Sequence, residues 1–170
     1  MEPRIVRKES FGVVGMEIAT TLKSNWENRD IFHLWIRFQA RMGEIANRID
    51  PAVSYGICGD MSDPRPSASE TTEDTRYNEL VCVEVKDLDH VPEGMIGRIV
   101  PGRTYAVFTH KGPLFPNYLQ QTYDYIYGTW LPHSGQELDG GWDFELYDSR
   151  FANVDDPASE FDIYVPIKAG

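Results

Sequence analysis

The strongest constraint on this chain's fold is that it gives one order of elements twice. Residues 4–20, RIVRKESFGVVGMEIAT, alternate β-branched with polar residues around a glycine-softened middle and read as strand. Ile31, Trp35, Phe38, Met42, Ile45 and Ile49 then recur every three or four residues, the stripe of an amphipathic helix from about Asn28 to Arg48, closed by Pro51. AVSYGICGD (52–60) and ELVCVEVKD (79–87) read as strands, with an aperiodic polar stretch between them that is expected as a surface loop over 60–78. The second half repeats this order. Residues 94–112 read as strand, Pro-Gly break and strand; Pro113 suits a first helical turn, and Leu114, Tyr118, Thr122, Tyr125 and Ile126 lead on to Trp130. WDFELYDSR (142–150) and EFDIYVPIK (160–168) close with two strands.

Each half is thus β-β-α-β-β or its shorter form, β-α-β-β. The expected fold class is α+β: a single domain over 1–170 with an internal repeat, 1–90 and 94–170. Short connections imply antiparallel pairing. One continuous antiparallel sheet should carry two helices on the same face, with a ligand cleft between them.

One position breaks the apolar pattern. In GGWDFELYDSR (140–150), Phe144 and Leu146 point to one face of a strand and Glu145 and Tyr147 to the other. Aligned by order, the equivalent place in the first half is YGIC, with Tyr55 and Gly56 and no carboxylate. One half is therefore expected to supply charge and the other to leave room. A strand glutamate usually faces solvent. Aromatics offer a second setting for it, since the chain has 4 Trp, 9 Tyr and 8 Phe, residues with flat apolar faces and, for Tyr and Trp, polar tips.

Composition excludes several functions. A net charge of −11 with no basic stripe opposes the phosphate backbone, so direct nucleic-acid binding is not expected. The N-terminus lacks an apolar signal core and no run approaches membrane-spanning length, which places the chain in the cytoplasm and off the membrane. Cys58 and Cys82 lie in strands without zinc spacing and read as reduced thiols; a bridge between adjacent strands is the alternative. The four histidines show no metal-binding pairing, though His110 is placed to hold backbone groups at a helix start. No nucleophile elbow, phosphate loop or dinucleotide fingerprint appears, so no cofactor is expected.

The ordered set YAVFTHKGP, YLQQTYDYIYGTWLPHSG, DFELYD and FDIYVPIK resembles the GyrI-like, AraC-type effector-binding family. That family includes drug-binding domains of multidrug-responsive transcription regulators and standalone proteins, some carried on integron cassettes. The resemblance covers nearly the whole chain and is strongest in the second half. It implies a pocket for lipophilic cations, lined by aromatics, with an acid on the FELYD strand: Glu145, with Tyr147 beside it. It also implies Tyr164 as a pocket aromatic, with Asp162 on the same face as Tyr164. Phe32 and Trp35 on the first helix and Tyr123 and Tyr127 on the second are further candidates, for which core packing is the competing reading. Tyr55 enters through the repeat alone.

The implied function is a small-molecule binding module for aromatic or lipophilic cations, acting as sensor or sequestering protein, with a separate regulatory protein as an open partner. Two alternatives stand beside it. One is hydrolysis of reactive toxins through the pocket glutamate; the other is a gyrase-inhibitor-like module that binds a protein through its acidic surface. A single clear acid leans against catalysis.

Overall fold

The computed structural model describes residues 1–59, 72–140 and 142–169. Most of the loop expected over 60–78 lies outside the described residues. The chain runs β1 (Arg4–Lys8), β2 (Phe11–Thr20), α1 (Leu22–Asn28), α2 (Asp30–Arg41), β3 (Ser54–Cys58), β4 (Tyr77–Val85), β5 (Ile96–Val100), β6 (Arg103–Lys111), α3 (Tyr118–Tyr125), α4 (Leu131–Ser134), β7 (Phe144–Tyr147) and β8 (Glu160–Ile167). All eight strands form one antiparallel sheet in the order β1-β6-β8-β7-β3-β4-β2-β5. This is the α+β architecture expected from the sequence.

The order has a two-fold pattern. β3, β4 and β2 of the first half match β7, β8 and β6 of the second, and β3 pairs with β7 at the centre. Each half's first strand crosses to the far edge of the other half.

Short connections force the sheet to curl. β5 lies at one end of the sheet and β6 next to the other end, yet only Pro101 and Gly102 join them. The rings of Phe11 on β2 and Phe144 on β7 are 5.9 Å apart, although three strand spacings in a flat sheet would be about 14 Å. The concave face is therefore a closed apolar core of Phe11, Tyr55, Leu80, Cys82, Tyr105 and Phe144. Lys8 on β1 reaches Glu84 on β4 across its mouth, at 3.6 Å.

Both helical layers cover the convex face. α2 buries Leu34 and Phe38 against Val14, Val81 and Val83. α3 and the turns after it cover Ala106, Phe108, Ile163 and Val165. Cys58 and Cys82 are not joined in a disulfide, because the register sends them to opposite faces.

Both helices depart from their expected limits. The first ends at Arg41 rather than Arg48, and an unexpected helix, α1, precedes it across a break at Arg29, whose φ of 54° is left-handed. The break is held by side chains that compete with helical hydrogen bonding: Asn25 Oδ1 accepts from Ile31 N at 2.9 Å, and Asp30 accepts from Thr20 at 2.7 Å and Ser24 at 2.6 Å. The second begins at Tyr118 rather than Pro113 because Leu114 N is bonded outward to Val154 O. Buried His110 anchors this start, its ring nitrogens lying 2.8 Å from Thr122 Oγ1 and 3.0 Å from the Pro113 carbonyl oxygen. Residues 126–130 then widen to π-helical spacing before α4.

Candidate functional site

The central strand pair sets the site. Gly56 on β3 is the register partner of Glu145 on β7, and both face the helical layer between α2 and α3. Without a side chain, Gly56 leaves a floor. A Cβ there would lie 3.2 Å from Glu79 Oε1, 3.5 Å from Trp35 Cζ2 and 3.9 Å from Tyr147 Cε2. Trp35 reaches down from α2 and meets the Tyr147 ring edge-on at 5.5 Å, closing one side of the cleft. Tyr123 and Tyr127, one helical turn apart, stack with centroids 6.5 Å apart on the other side.

Three carboxylates face this space. Tyr147 donates to Glu145 Oε2 at 2.8 Å, and the Tyr123 hydroxyl lies on the same side and holds that carboxyl down. Tyr127 donates to Asp143. Glu79, on β4, is 5% exposed, and among the described residues no donor reaches its side chain. Burial raises Glu145; the hydroxyls of Tyr147 and Tyr123 oppose that rise and the charge of Asp143 adds to it, leaving its pKa at about 7. Burial, then Glu145, then Asp143 push Glu79 well above the usual carboxylate range. Among the described residues, no Lys, Arg or His contributes to either shift. The space above Gly56 is thus bounded by aromatic rings and by carboxyl groups that no basic side chain among the described residues balances.

Five of the eight residues singled out in the sequence meet here: Glu145, Tyr147, Trp35, Tyr123 and Tyr127. Three do not. Tyr164 pairs with Phe144 and Tyr55 with Leu146, so both occupy the concave face, on the far side of the sheet from Glu145. Tyr164 instead stacks on Phe144 at 4.6 Å, and Tyr55 meets Phe11 at 5.4 Å. Phe32 is 44% exposed on α2 and contacts Arg29 and His33. Helical spacing placed Phe32 near Trp35, but Phe32 lies two residues from the buried Leu34, about 200° around the helix, and points outward.

Glu79 and Asp143 are additions from the structure. The first half does supply charge, but one strand away from the place the repeat suggested. In YNELVCVEV, Glu79 shares a face with Val81, Val83 and Val85, the same anomaly that singled out Glu145. Two surface pockets lie elsewhere. One of about 490 Å³ runs between β1 and the end of the second helical layer, past Ile5, Tyr125, Trp130 and His133. The other, of about 150 Å³, lies beside Tyr55 and Glu84. Among the described residues no group of His, Cys, Asp and Glu has metal-binding geometry, and no helix is long and apolar enough to cross a membrane.

Residues 4–167 match the profile of the integron-associated effector-binding proteins, Cass2. The chain belongs to this family. It is 40% identical over 167 residues to the transcriptional regulator BrlR of Pseudomonas aeruginosa. That match covers 98% of this chain and 56% of BrlR, so the chain spans just over half the length of this relative. Its fold is shared with SAV2435, solved bound to tetraphenylphosphonium (TM-score 0.72, 17% identity, 99% of this chain and 95% of the other). It is also shared with the integron cassette protein VCH_CASS2 from the mobile metagenome of Vibrio cholerae (TM-score 0.67, 16% identity, 98% and 96%). The effector-binding architecture expected from the second-half motifs is therefore shown.

Proposed function

We propose that this effector-binding domain takes up lipophilic organic cations in the cleft between α2 and α3. The observation that carries this reading is Glu145, set among Trp35, Tyr147 and Tyr123 with no basic side chain opposite it among the described residues. Desolvating an organic cation costs several kcal/mol unless a partner compensates. A facing carboxylate supplies about 4 kcal/mol at 4 Å with an effective dielectric near 20. Each aromatic face adds roughly 0.5–2 kcal/mol. In the empty cleft the tyrosine hydroxyls satisfy Glu145, and a cation that displaces them meets the same carboxylate and ring faces. The cation bound to SAV2435, on the same fold, supports this ligand class.

Net charge of −11 leaves direct contact with nucleic acid to another polypeptide region or partner, and similarity to BrlR supports a sensing role in transcriptional control. The cytoplasm is the setting in which such a role operates.

The test is calorimetry with tetraphenylphosphonium against neutral triphenylphosphine oxide. Micromolar affinity for the cation and at least tenfold weaker binding of the neutral compound are expected. Glu145→Gln should reduce cation affinity about 10–1000-fold, on the order of 1.4–4 kcal/mol, and leave the neutral compound unaffected. Equal affinity for both compounds overturns the reading. A hydrolytic role draws on the same group, because a glutamate poised near pH 7 suits proton transfer. Under that reading Glu145→Gln retains binding and abolishes turnover of a strained electrophile.

A further inference from the structure

Glu79 and Glu145 come from different halves of the chain and flank Gly56 on one face of the sheet. Glu79 reaches it from β4, with its Oε1 3.2 Å from the place a Cβ would occupy; Glu145 is the register partner of Gly56 on β7. Glu145 accepts from the Tyr147 hydroxyl, whereas the buried Glu79 carboxylate has no donor among the described residues. The groups that face the pair are known from each packed element. β7 contributes Tyr147, with Asp143 just before it, β4 contributes Tyr77, and β3 contributes the Cys58 thiol, register partner of Glu79. The helical layer contributes Tyr123 and Tyr127, and α2 contributes the uncharged Trp35. Among the described residues, the titratable groups facing the pair are acids, phenols and one thiol. Two carboxylates that repel one another in an apolar site do not both ionise without a cation, because no basic side chain among the described residues offsets their repulsion.

Resting on the cation-binding reading above, we propose that Glu79 is a second cation-recognising carboxylate, that it and Glu145 retain a shared proton in the empty cleft, and that an entering cation expels that proton. Binding is then an exchange of one positive charge for another. The direction of both carboxyl shifts agrees with this, as burial and mutual repulsion favour the protonated form. The exchange makes affinity rise with pH through neutrality, by up to about tenfold per pH unit for one proton released.

The experiment is calorimetry of the full chain with tetraphenylphosphonium at pH 7, in phosphate, HEPES and Tris, whose ionisation enthalpies differ. The expected result is release of about 0.5–1 proton per cation bound, with affinity increasing from pH 6 to 8. Glu79→Gln should bind at least about tenfold more weakly at pH 8 and release markedly less proton. Binding by the wild type with no proton exchange between pH 6 and 8 overturns the proposal and leaves cation binding intact, a result that requires no variant to fold. Unchanged affinity and proton release in a folded Glu79→Gln also overturn it. Failure of the wild type to bind the cation at any pH removes the cation-binding reading itself.

Discussion

Glu145 and Asp162 lie on neighbouring strands, β7 and β8, but serve opposite faces of the sheet. Both are acids within strand segments; Asp162 is buried and Glu145 is half-buried. Asp162, 5% exposed, is held by Arg150 at 2.9 Å, Thr109 at 2.7 Å and Arg4 at 3.4 Å. Burial pushes its carboxyl up, but Arg150 and Thr109, with the charges of Arg150 and Arg4, outweigh burial and hold it below the ordinary range. Glu145 has only phenol donors and the repulsion of other carboxylates, and burial wins. The first acid is part of a closed ionic network that stabilises the fold. The second has no opposite charge among the described residues and fits a role that awaits one.

This contrast can be broken from either side, and the largest effect should come from the paired acid. Arg150→Met leaves Asp162 buried with Arg4 alone as its cation and should destabilise the protein by about 2–4 kcal/mol in urea unfolding. Adding Asp162→Asn should recover part of that loss; a variant as stable as the wild type shows that the network is not structural. Glu145→Gln should do the reverse. It removes a charge that burial disfavours, so stability at pH 8 should rise by on the order of 1–3 kcal/mol.

The pH dependence of the wild type separates the two acids next. Glu145, raised from 4.5 to about 7 in the fold, retains a proton that the unfolded chain loses across this window. Its contribution to stability is therefore largest below pH 4.5, declines as pH rises through 7, and is flat above. Asp162 is lowered, so its contribution is present above the unfolded value of 3.8 and is lost as pH falls through its folded value. Urea midpoints at pH 5 and 8 should differ in the wild type in this direction, and less so in Glu145→Gln. The smallest effects sharpen the division between faces. Tyr123→Phe should weaken cation binding a few-fold through the lost donor to Glu145, whereas Tyr164→Phe, beyond the sheet, should leave it unchanged in the same calorimetric assay.

Much of this was legible in the order of residues. Apolar periodicity and short turns located most strands and both main helices, because amphipathic patterns follow directly from backbone geometry; residues 4–20 read as one strand rather than β1 and β2, α1 was not read, and the first helix ends at Arg41 rather than Arg48. The breaks were less visible. Arg29 is not a residue that announces a left-handed bend; it is held there by Asn25 and Asp30 acting on neighbouring groups. Within the site, alternation placed Glu145 with Tyr147, and four-residue spacing placed Tyr123 with Tyr127. Neither rule relates one strand to another. Tyr164 looked like a companion of Glu145 until Phe144 became its register partner, which sends it to the concave core.

The sequence by itself determined the strand and helix order, the acidic character of the chain and the presence of an acid on an otherwise apolar strand face. These depend on local periodicity and composition, which each segment carries on its own. Only the tertiary structure decided that Glu79, Asp143 and Glu145 share one cleft while Asp162 is matched by Arg150 and Arg4. That assignment depends on the β3–β7 and β7–β8 registers, where a shift of one residue exchanges the faces of a strand, and on a curl imposed by the two-residue link from β5 to β6.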